Sequence, residues 1–237
     1  MKPIFLISVL TLAMSSSFVA NAADLTGDKG QSSKVLSVTG AIGAPTCKFE
    51  MNSGQAVEFG TIAPSQLQMD QVTAGNISSI TGGFSVECDA KTLVRLQVKD
   101  TYASNLLKDN KHKDLFPGHY GPDSQFGLVD ANNPDTLIGS YIIVKNKIST
   151  TDNGTTNEGH DLYIQGGRRS NVFVSTKDNS GSGEQETLVI DNPNGYASKL
   201  MNVGFTIQPN FLPKKTWFTE GNDVEIIGDA TFSMVYL

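Results

Sequence analysis

Short runs of alternating or β-branched residues, separated by turn-forming residues, recur along the sequence and constrain its fold more than any other feature. A run such as LVRLQVKD at 93–100 alternates apolar and polar residues with the period of a half-buried strand. Polar stretches rich in Gly, Asn, Asp and Pro lie between the runs and favour turns. The candidate helices, at 101–109 and 196–203, have two turns at most. The sequence therefore predicts an all-β sandwich or barrel. We place the predicted strands at 34–42, 55–62, 83–88, 93–100, 138–145, 161–165, 171–176, 187–190, 203–208, 223–227 and 229–236.

The first residues have the organisation of a secretory signal peptide. Lys2 provides the positive start, residues 4–14 are apolar, and Ala20-Asn21-Ala22 has the small residues of a cleavage signal. The apolar stretch is too short for a membrane span, and no later stretch of the sequence is apolar enough to stop transfer. We therefore expect an exported protein that does not insert into the membrane. Its expected parts are a signal peptide at 1–22, a polar extension at 23–33 and a β domain at 34–237.

The sequence contains two cysteines, Cys47 and Cys88, and both follow the expected cleavage site. In an exported protein a lone pair of cysteines favours one disulfide, and two buried free thiols are the alternative. Closing a loop of this length would stabilise the fold by about 4 kcal/mol in the chain-entropy model. The spacing does not resemble that of a zinc or iron–sulfur site, which needs more ligands at shorter intervals.

The charge of the chain bears on the class of partner. The formal net charge is −6 at pH 7. An acidic chain is repelled by nucleic acid and by anionic membrane surfaces. We therefore expect neither as a partner of the whole chain.

The last residues of the sequence, GDATFSMVYL, form an alternating pattern of their own. A strand over this stretch places four apolar side chains on one face and a more polar set on the other. An apolar strand of this kind needs another strand to pair with it and an apolar surface to cover its face. The residues of the apolar face are Ala230, Phe232, Met234 and Tyr236.

Two regions of the sequence resemble the subunits of chaperone–usher fimbriae. Near the N-terminus, VLSVTGAIGAPTCKFEM runs into Cys47, an apolar-x-Phe-Gly segment follows at Val57, Phe59 and Gly60, and GFSVEC carries Cys88. At the other end, Tyr236 is the penultimate tyrosine of an alternating strand. The resemblance covers about residues 35–100 and 203–237. Segments of the longer middle, such as 126–144, resemble a group of secreted fimbrial-like proteins of unknown function.

The resemblance implies an immunoglobulin-like, pilin-type β-sandwich in which Cys47 and Cys88 form a disulfide between the N-terminal strands. Such a sandwich lacks its last strand, and the resulting groove is filled by β-strand addition. A periplasmic fimbrial chaperone fills the groove first, and the N-terminal extension of another fimbrial subunit fills it later. Ala230, Phe232, Met234 and Tyr236 would line this acceptor groove. The expected location is the periplasm and then the fimbrium or cell surface, where the protein would contribute to adhesion.

The extension at 23–33 departs from the pattern of a donor strand. It offers Leu25 and then no apolar side chain until Val35, whereas a donor needs apolar residues at alternate positions. Either the subunit accepts a strand without donating one from 23–33, or its fold is closed by its own long middle. The second possibility describes a self-contained periplasmic or secreted binding module that does not polymerise.

No motif in the sequence indicates an enzyme or a cofactor site. His112, Asp114 and His119 fall in one loop, and 150–161 carries acidic and amide oxygens, but neither stretch has the ligand spacing of a known metal site. Ser180 and Ser182 lie in a polar loop that no helix follows, unlike a nucleophile elbow. We therefore expect neither catalysis nor a cofactor. A pair of glycosidase carboxylates is the alternative that sequence leaves open, because such residues meet only in the fold.

Two surface features each have two interpretations. Gly166-Gly167-Arg168-Arg169 is the densest positive stretch, and it is either a contact for an acidic ligand or, as such turns more often are, a solvated hairpin end. Trp217 is the only tryptophan, and it either stacks on a sugar or helps to close the sandwich. The usual burial of tryptophan favours the second interpretation.

Overall fold

The computed structural model is a sandwich of antiparallel β-sheets, and it describes residues 45–52, 58–75, 77–117, 120–164, 168–175, 188–190, 197–220 and 223–236. The larger sheet contains β1 (Cys47–Met51), β2 (Thr73–Ala74), β3 (Ile80–Thr92), β5 (Phe126–Asp130), β6 (Asn133–Asp152), β7 (Thr155–Glu158), β11 (Ser198–Phe211) and β12 (Ile226–Ile227). The smaller sheet contains β4 (Val94–Asp100), β8 (Leu162–Ile164), β9 (Arg168–Ser170), β10 (Leu188–Ile190) and β13 (Ala230–Tyr236). The α-helices in the described residues are α1 (Ala103–Leu107) and α2 (His112–Leu115).

The order of the strands decides which strands form the edges of the sandwich. The larger sheet has the order β1-β3-β11-β6-β5-β12, with β2 added to β11 and β7 added to β6. The smaller sheet has the order β13-β4-β10-β8-β9. Within the described part of the chain, β1 therefore ends one sheet and β13 ends the other. The predicted all-β sandwich with a Cys47–Cys88 disulfide is confirmed.

Alternation along the strands builds the core between the sheets. In β4, Val94, Leu96 and Val98 are buried, because successive side chains of a strand point to opposite faces. The same period in the central strands brings large side chains to the middle of the sandwich. The fully buried phenylalanines there include Phe84, Phe173 and Phe205.

The long middle of the chain covers the second face of the larger sheet. Residues 138–143 in β6 are all buried, so this part of the strand has no face in water. The helices α1 and α2 contact β6, and an apolar cluster of Leu106, Leu115 and Leu212 lies there. Because this part of the strand is covered on both faces, apolar residues follow one another without alternation at Tyr141, Ile142 and Ile143.

Gly139 permits the close approach of β6 and β11. A Cβ atom at this position would lie 2.3 Å from the backbone oxygen of Asn210. We expect Gly139→Ala to lower the free energy of unfolding by about 2 kcal/mol, because the strands must separate to admit the methyl group. Chemical denaturation measures the change. Gly121→Ala is the matched control, since its Cβ would have no atom within 4 Å, and equal stability of the two variants would contradict the packing described.

Several predicted elements differ from the structure. The candidate helix at 196–203 is wrong, because its described residues belong to the coil before β11 and to β11 itself, which pairs with both β3 and β6. In the predicted strand at 55–62, the described residues 58–62 form no strand. In the predicted strand at 171–176, the described residues make only isolated β-bridges, through Val172 and Ser175. The prediction omitted the strands β1, β2, β5, β7 and β9 and the helix α2. The signal peptide, the extension and the strand at 34–42 lie outside the described residues.

Candidate acceptor groove

The C-terminal strand β13 is paired along one edge. It lies antiparallel to β4, with Ala230 opposite Asp100 and Tyr236 opposite Val94. Just before β13, the backbone amide of Thr101 donates to the backbone oxygen of Asp229 over 3.1 Å. Residues of an antiparallel strand alternate in the direction of their backbone hydrogen bonds, so Ala230 and Phe232 direct theirs away from β4. In the described part of the chain, no strand pairs with that second edge.

The N-terminal strand β1 has the same arrangement in the other sheet. It lies antiparallel to β3, and the Asn52 amide donates to the Gly83 oxygen over 2.8 Å. The same alternation means that Phe49 and Met51 direct their backbone groups away from β3. The second edge of β1 likewise has no partner strand among the described residues.

A groove of about 950 Å³ lies between these two strand edges. Its walls are the backbone of β1 on one side and of β13 on the other. Donors and acceptors along both walls and apolar side chains below them are the features that an added β-strand needs. The lining residues are Phe49, Glu50, Met51, Asn52, Ala230, Thr231 and Phe232.

Beneath the lining residues lies a buried cluster of phenylalanine rings, which we call the floor of the groove. The ring centroid of Phe84 lies 5.0 Å from that of Phe49 and 5.6 Å from that of Phe232. Phe232 also packs edge-on against Phe173 at 5.6 Å and parallel to Phe205 at 6.3 Å. Contacts of this kind join the two walls to one core cluster. The side chains of the walls are only partly buried, so apolar surface remains exposed in the groove.

Glu50 is the charged residue among those that line the groove, and it lies on the solvent side of β1. Glu50 is exposed and forms an ion pair of 2.5 Å with Lys48. The hydrogen bond from Lys48 to Glu50, followed by their charge interaction, raises the pKa of Lys48. Glu50 alternates with Phe49 and Met51, so its carboxylate faces away from the core. The floor described here is therefore uncharged.

The disulfide fixes the position of β1. Cys47 and Cys88 lie directly opposite each other in the β1–β3 ladder, with their Cα atoms 4.0 Å apart. The bond therefore joins neighbouring strands of one sheet, whereas the disulfide of antibody domains joins the two sheets. It attaches one wall of the groove to the central strand β3.

Of the residues predicted for the groove, Ala230 and Phe232 line it, and Met234 and Tyr236 lie further along β13. Ala230, Phe232 and Met234 are half-buried and pack against the core, and the residues between them, Thr231 and Ser233, are exposed. The backbone of Tyr236 pairs with Val94 of β4, and the side chain of Tyr236 is outside the described part of the structure.

Sequence reasoning missed the opposite wall and the floor. Cys47, Phe49 and Met51 alternate in CKFEM as the apolar residues do in β13, which is a signal that could have located the second wall. The position of Phe84 beneath both walls depends on the packing of the sheets, which no local pattern reveals.

The other candidate residues do not come together. His112 is buried on α2, His160 is buried with its Nε2 2.9 Å from the Thr150 hydroxyl, and His119 lies outside the described residues, as do Ser180 and Ser182. In the residues that the structure describes, no group of three His, Cys, Asp or Glu side chains is placed to hold a metal ion. The stretch at 150–161 contains the hairpin of β6 and β7.

The tryptophan and the paired arginines occupy separate places. Trp217 is half-buried against the Leu212 cluster, and its indole nitrogen donates to the Leu212 oxygen over 3.0 Å. Arg168 and Arg169 are exposed on β9, and Arg169 forms an ion pair with Asp161. Neither feature borders the groove.

Comparison with known proteins adds one match. A family model described as a protein of unknown function, DUF1120, matches residues 36–141. This match includes β1, β3 and both cysteines, and it ends before β13. No curated protein matches the chain. None of the helices in the described residues is long and apolar enough to cross a membrane.

Proposed function

We propose that this protein is a structural fimbrial or fimbrial-like subunit, assembled by donor-strand exchange through a periplasmic chaperone and contributing to surface adhesion. The observation that supports this proposal is the groove between β1 and β13, with an edge of each sheet as its walls and phenylalanine rings as its floor. A β-strand inserted there would gain backbone hydrogen bonds from both walls and would bury its alternate side chains against the apolar residues that line the groove, such as Phe49 and Phe232.

The apolar surface of the groove explains why an escort is needed. Exposed strand edges beside apolar side chains promote association between copies of a protein. A chaperone strand that occupies the groove removes both features from solvent. The described residues of the long middle belong to other parts of the sheets or to α1 and α2, and none lines this groove. They therefore give no support to closure of the fold by the middle of the chain.

The pattern of a donor strand occurs at 34–42 rather than at 23–33. In KVLSVTGAI, the alternate residues Leu36, Val38, Gly40 and Ile42 are apolar or small. We propose that this segment of one subunit is the strand offered to the groove of another. The polar extension before it would then remain outside the exchanged strand.

Expression of the mature chain in the periplasm tests this function. Without a fimbrial chaperone, we expect aggregation or degradation, because the groove stays exposed. Co-expression of the chaperone should give a soluble complex of the two proteins. Size-exclusion chromatography and thermal unfolding provide the measurements. A soluble monomer with a cooperative transition in the absence of any chaperone would contradict the proposal and would favour a self-contained binding module.

A further inference from the structure

A depression of about 410 Å³ lies on the outer face of the larger sheet. In β11 the side chains of Val203 and Phe205 are buried between the sheets, so the residues that alternate with them, Asn202 and Gly204, face outward. Gly204 lies directly opposite Gly83 of β3, and both glycines line the depression. Two glycines side by side leave the middle of this face without side chains.

A β-bulge forms one side of the depression. The register between β11 and β6 shifts between Val203 and Phe205. Two residues of β6, Asn146 and Lys147, therefore oppose Gly204 alone. Bulges change the direction of nearby side chains and are frequent beside functional sites. At this bulge, the backbone oxygen of Lys147 lies 3.5 Å from the point that a Cβ atom of residue 204 would occupy.

The packing of the sheet does not require glycine at position 204. A Cβ atom there would make only ordinary contacts, whereas a Cβ atom at Gly83 would lie 2.9 Å from the backbone oxygen of Val203. Glycine also weakens a strand, because it offers no side chain to pack and loses more conformational entropy on folding. A glycine inside a strand often marks a place where a ligand or another backbone comes close.

Polar side chains surround the two glycines. Those that line the depression, apart from Lys147, are Asn52, Thr81, Ser149 and Asn202. None of these four side chains forms a hydrogen bond with another residue that the structure describes. Amides and hydroxyls can each donate and accept hydrogen bonds. Lys147 is the charged residue among those that line the depression, and it forms an ion pair of 2.5 Å with Glu158.

We infer that this depression binds an uncharged saccharide. Its volume falls within the range of small-molecule sites, which is about 300–1,000 Å³. Groups that both donate and accept match the hydroxyl groups of a sugar, and the glycines let a sugar ring approach the backbone.

Other classes of ligand fit the depression less well. An acidic ligand would meet a single cation that is already paired with Glu158. An apolar ligand would leave the amides and hydroxyls without partners. An added peptide strand would find no free edge at this point, because β3 pairs with β1 and β11, and β11 pairs with β3 and β6.

Titration of the isotope-labelled mature protein with the methyl glycosides of glucose, galactose, mannose and N-acetylglucosamine tests the inference. The protein is refolded, or is kept soluble by a fimbrial chaperone in its groove. At least one glycoside should shift the backbone amide signals of Gly83, Lys147 and Gly204 with a saturable Kd of about 1 mM. No saturable shift with any of these glycosides, or shifts confined to other residues, would overturn the inference.

Gly204→Leu should weaken this binding at least about tenfold, because the new side chain fills the depression. Its melting temperature should be equal or higher, because a side chain in place of glycine favours the strand. Gly121→Leu is the matched control, since a Cβ at Gly121 would have no atom within 4 Å and this residue lies outside the depression. Binding to the control should change less than about twofold. Equal weakening by the two substitutions would overturn the inference.

Asn202→Ala provides a second variant that adds no bulk. It removes one amide from the depression and should weaken glycoside binding about fivefold. Thermal unfolding should change little, because the lost amide has no partner among the described residues. Unchanged glycoside binding in both Asn202→Ala and Gly204→Leu would show that the saccharide binds elsewhere.

Peptide binding separates this site from the groove, since Asn52 borders both. Gly204→Leu should bind a peptide of residues 34–42 as the unaltered protein does, because Gly204 does not line the groove. Loss of peptide binding together with glycoside binding would overturn the inference of a separate site. Absence of glycoside binding with intact peptide binding would overturn the saccharide site and leave the proposed subunit function unaffected.

Discussion

Phe232→Asp is expected to weaken capture of a donor strand at least about a hundredfold, since a carboxylate in an apolar slot costs several kcal/mol. Phe232 lies on the β13 wall of the groove and packs against Phe84, so the charge would be placed between the wall and the floor. The measurement is titration of the refolded mature protein with a labelled peptide of residues 34–42, followed by fluorescence anisotropy. Under the proposed function, a fimbrial chaperone would be a second ligand for the same groove.

Ser233→Asp is the matched control for this experiment. It introduces the same charge one residue further along β13, on the exposed face of the strand. We expect the peptide to bind this variant as it binds the unaltered protein. Phe232→Leu keeps an apolar side chain at the wall and separates loss of the groove from loss of folding. Equal weakening by Ser233→Asp and Phe232→Asp would show that the peptide binds elsewhere.

Removing the disulfide by Cys47→Ser/Cys88→Ser is expected to lower the free energy of unfolding by about 4 kcal/mol. The bond closes a loop with a sequence separation of 41 residues, and the chain-entropy model assigns this cost to a loop of that length. Denaturation in urea measures the change. The midpoint of the transition and the slope of the unfolding free energy against urea concentration are recorded separately. A larger slope in the variant would show that its denatured state exposes more surface.

Removal of the disulfide is expected to destabilise the β1 wall of the groove more than it destabilises the rest of the fold. The disulfide joins the edge strand β1 to β3, and β1 has no second partner strand in the described residues. Hydrogen exchange should therefore accelerate more at β1 than at β11, which pairs on both sides with β3 and β6. Uniform acceleration over both strands would contradict a specific role of the bond in holding the wall.

The sequence predicted the features of this fold that depend on local periodicity. The alternation in β4 and β13 predicted both the strands and the side chains that face inward, because a strand has a side-chain period of two. The pair of cysteines predicted the disulfide that joins Cys47 and Cys88. The same local signal put Ala230 and Phe232 on one face of β13, and both residues line the groove.

Features that depend on contacts distant in sequence could not be predicted in the same way. The stretch at 196–203 has the spacing of a short helix, but pairing with β3 and β6 makes most of it strand. The position of Phe84 under both walls follows from the packing of two sheets. Tyr141, Ile142 and Ile143 of β6 are apolar in succession because α1 and α2 cover the second face of this strand, and no local pattern indicates that cover.

The position of the disulfide also determines how the molecule responds to mechanical load. A fibre subunit pulled through its N-terminal segment would transmit tension to Cys47, and the covalent bond would carry that tension directly to Cys88 in the neighbouring strand. The 41-residue span between them would not lengthen, so an unravelling subunit would extend by about 140 Å less than a reduced one. The residues between the two cysteines would thus remain out of the path of force, while β4 and the strands beyond it bear the load.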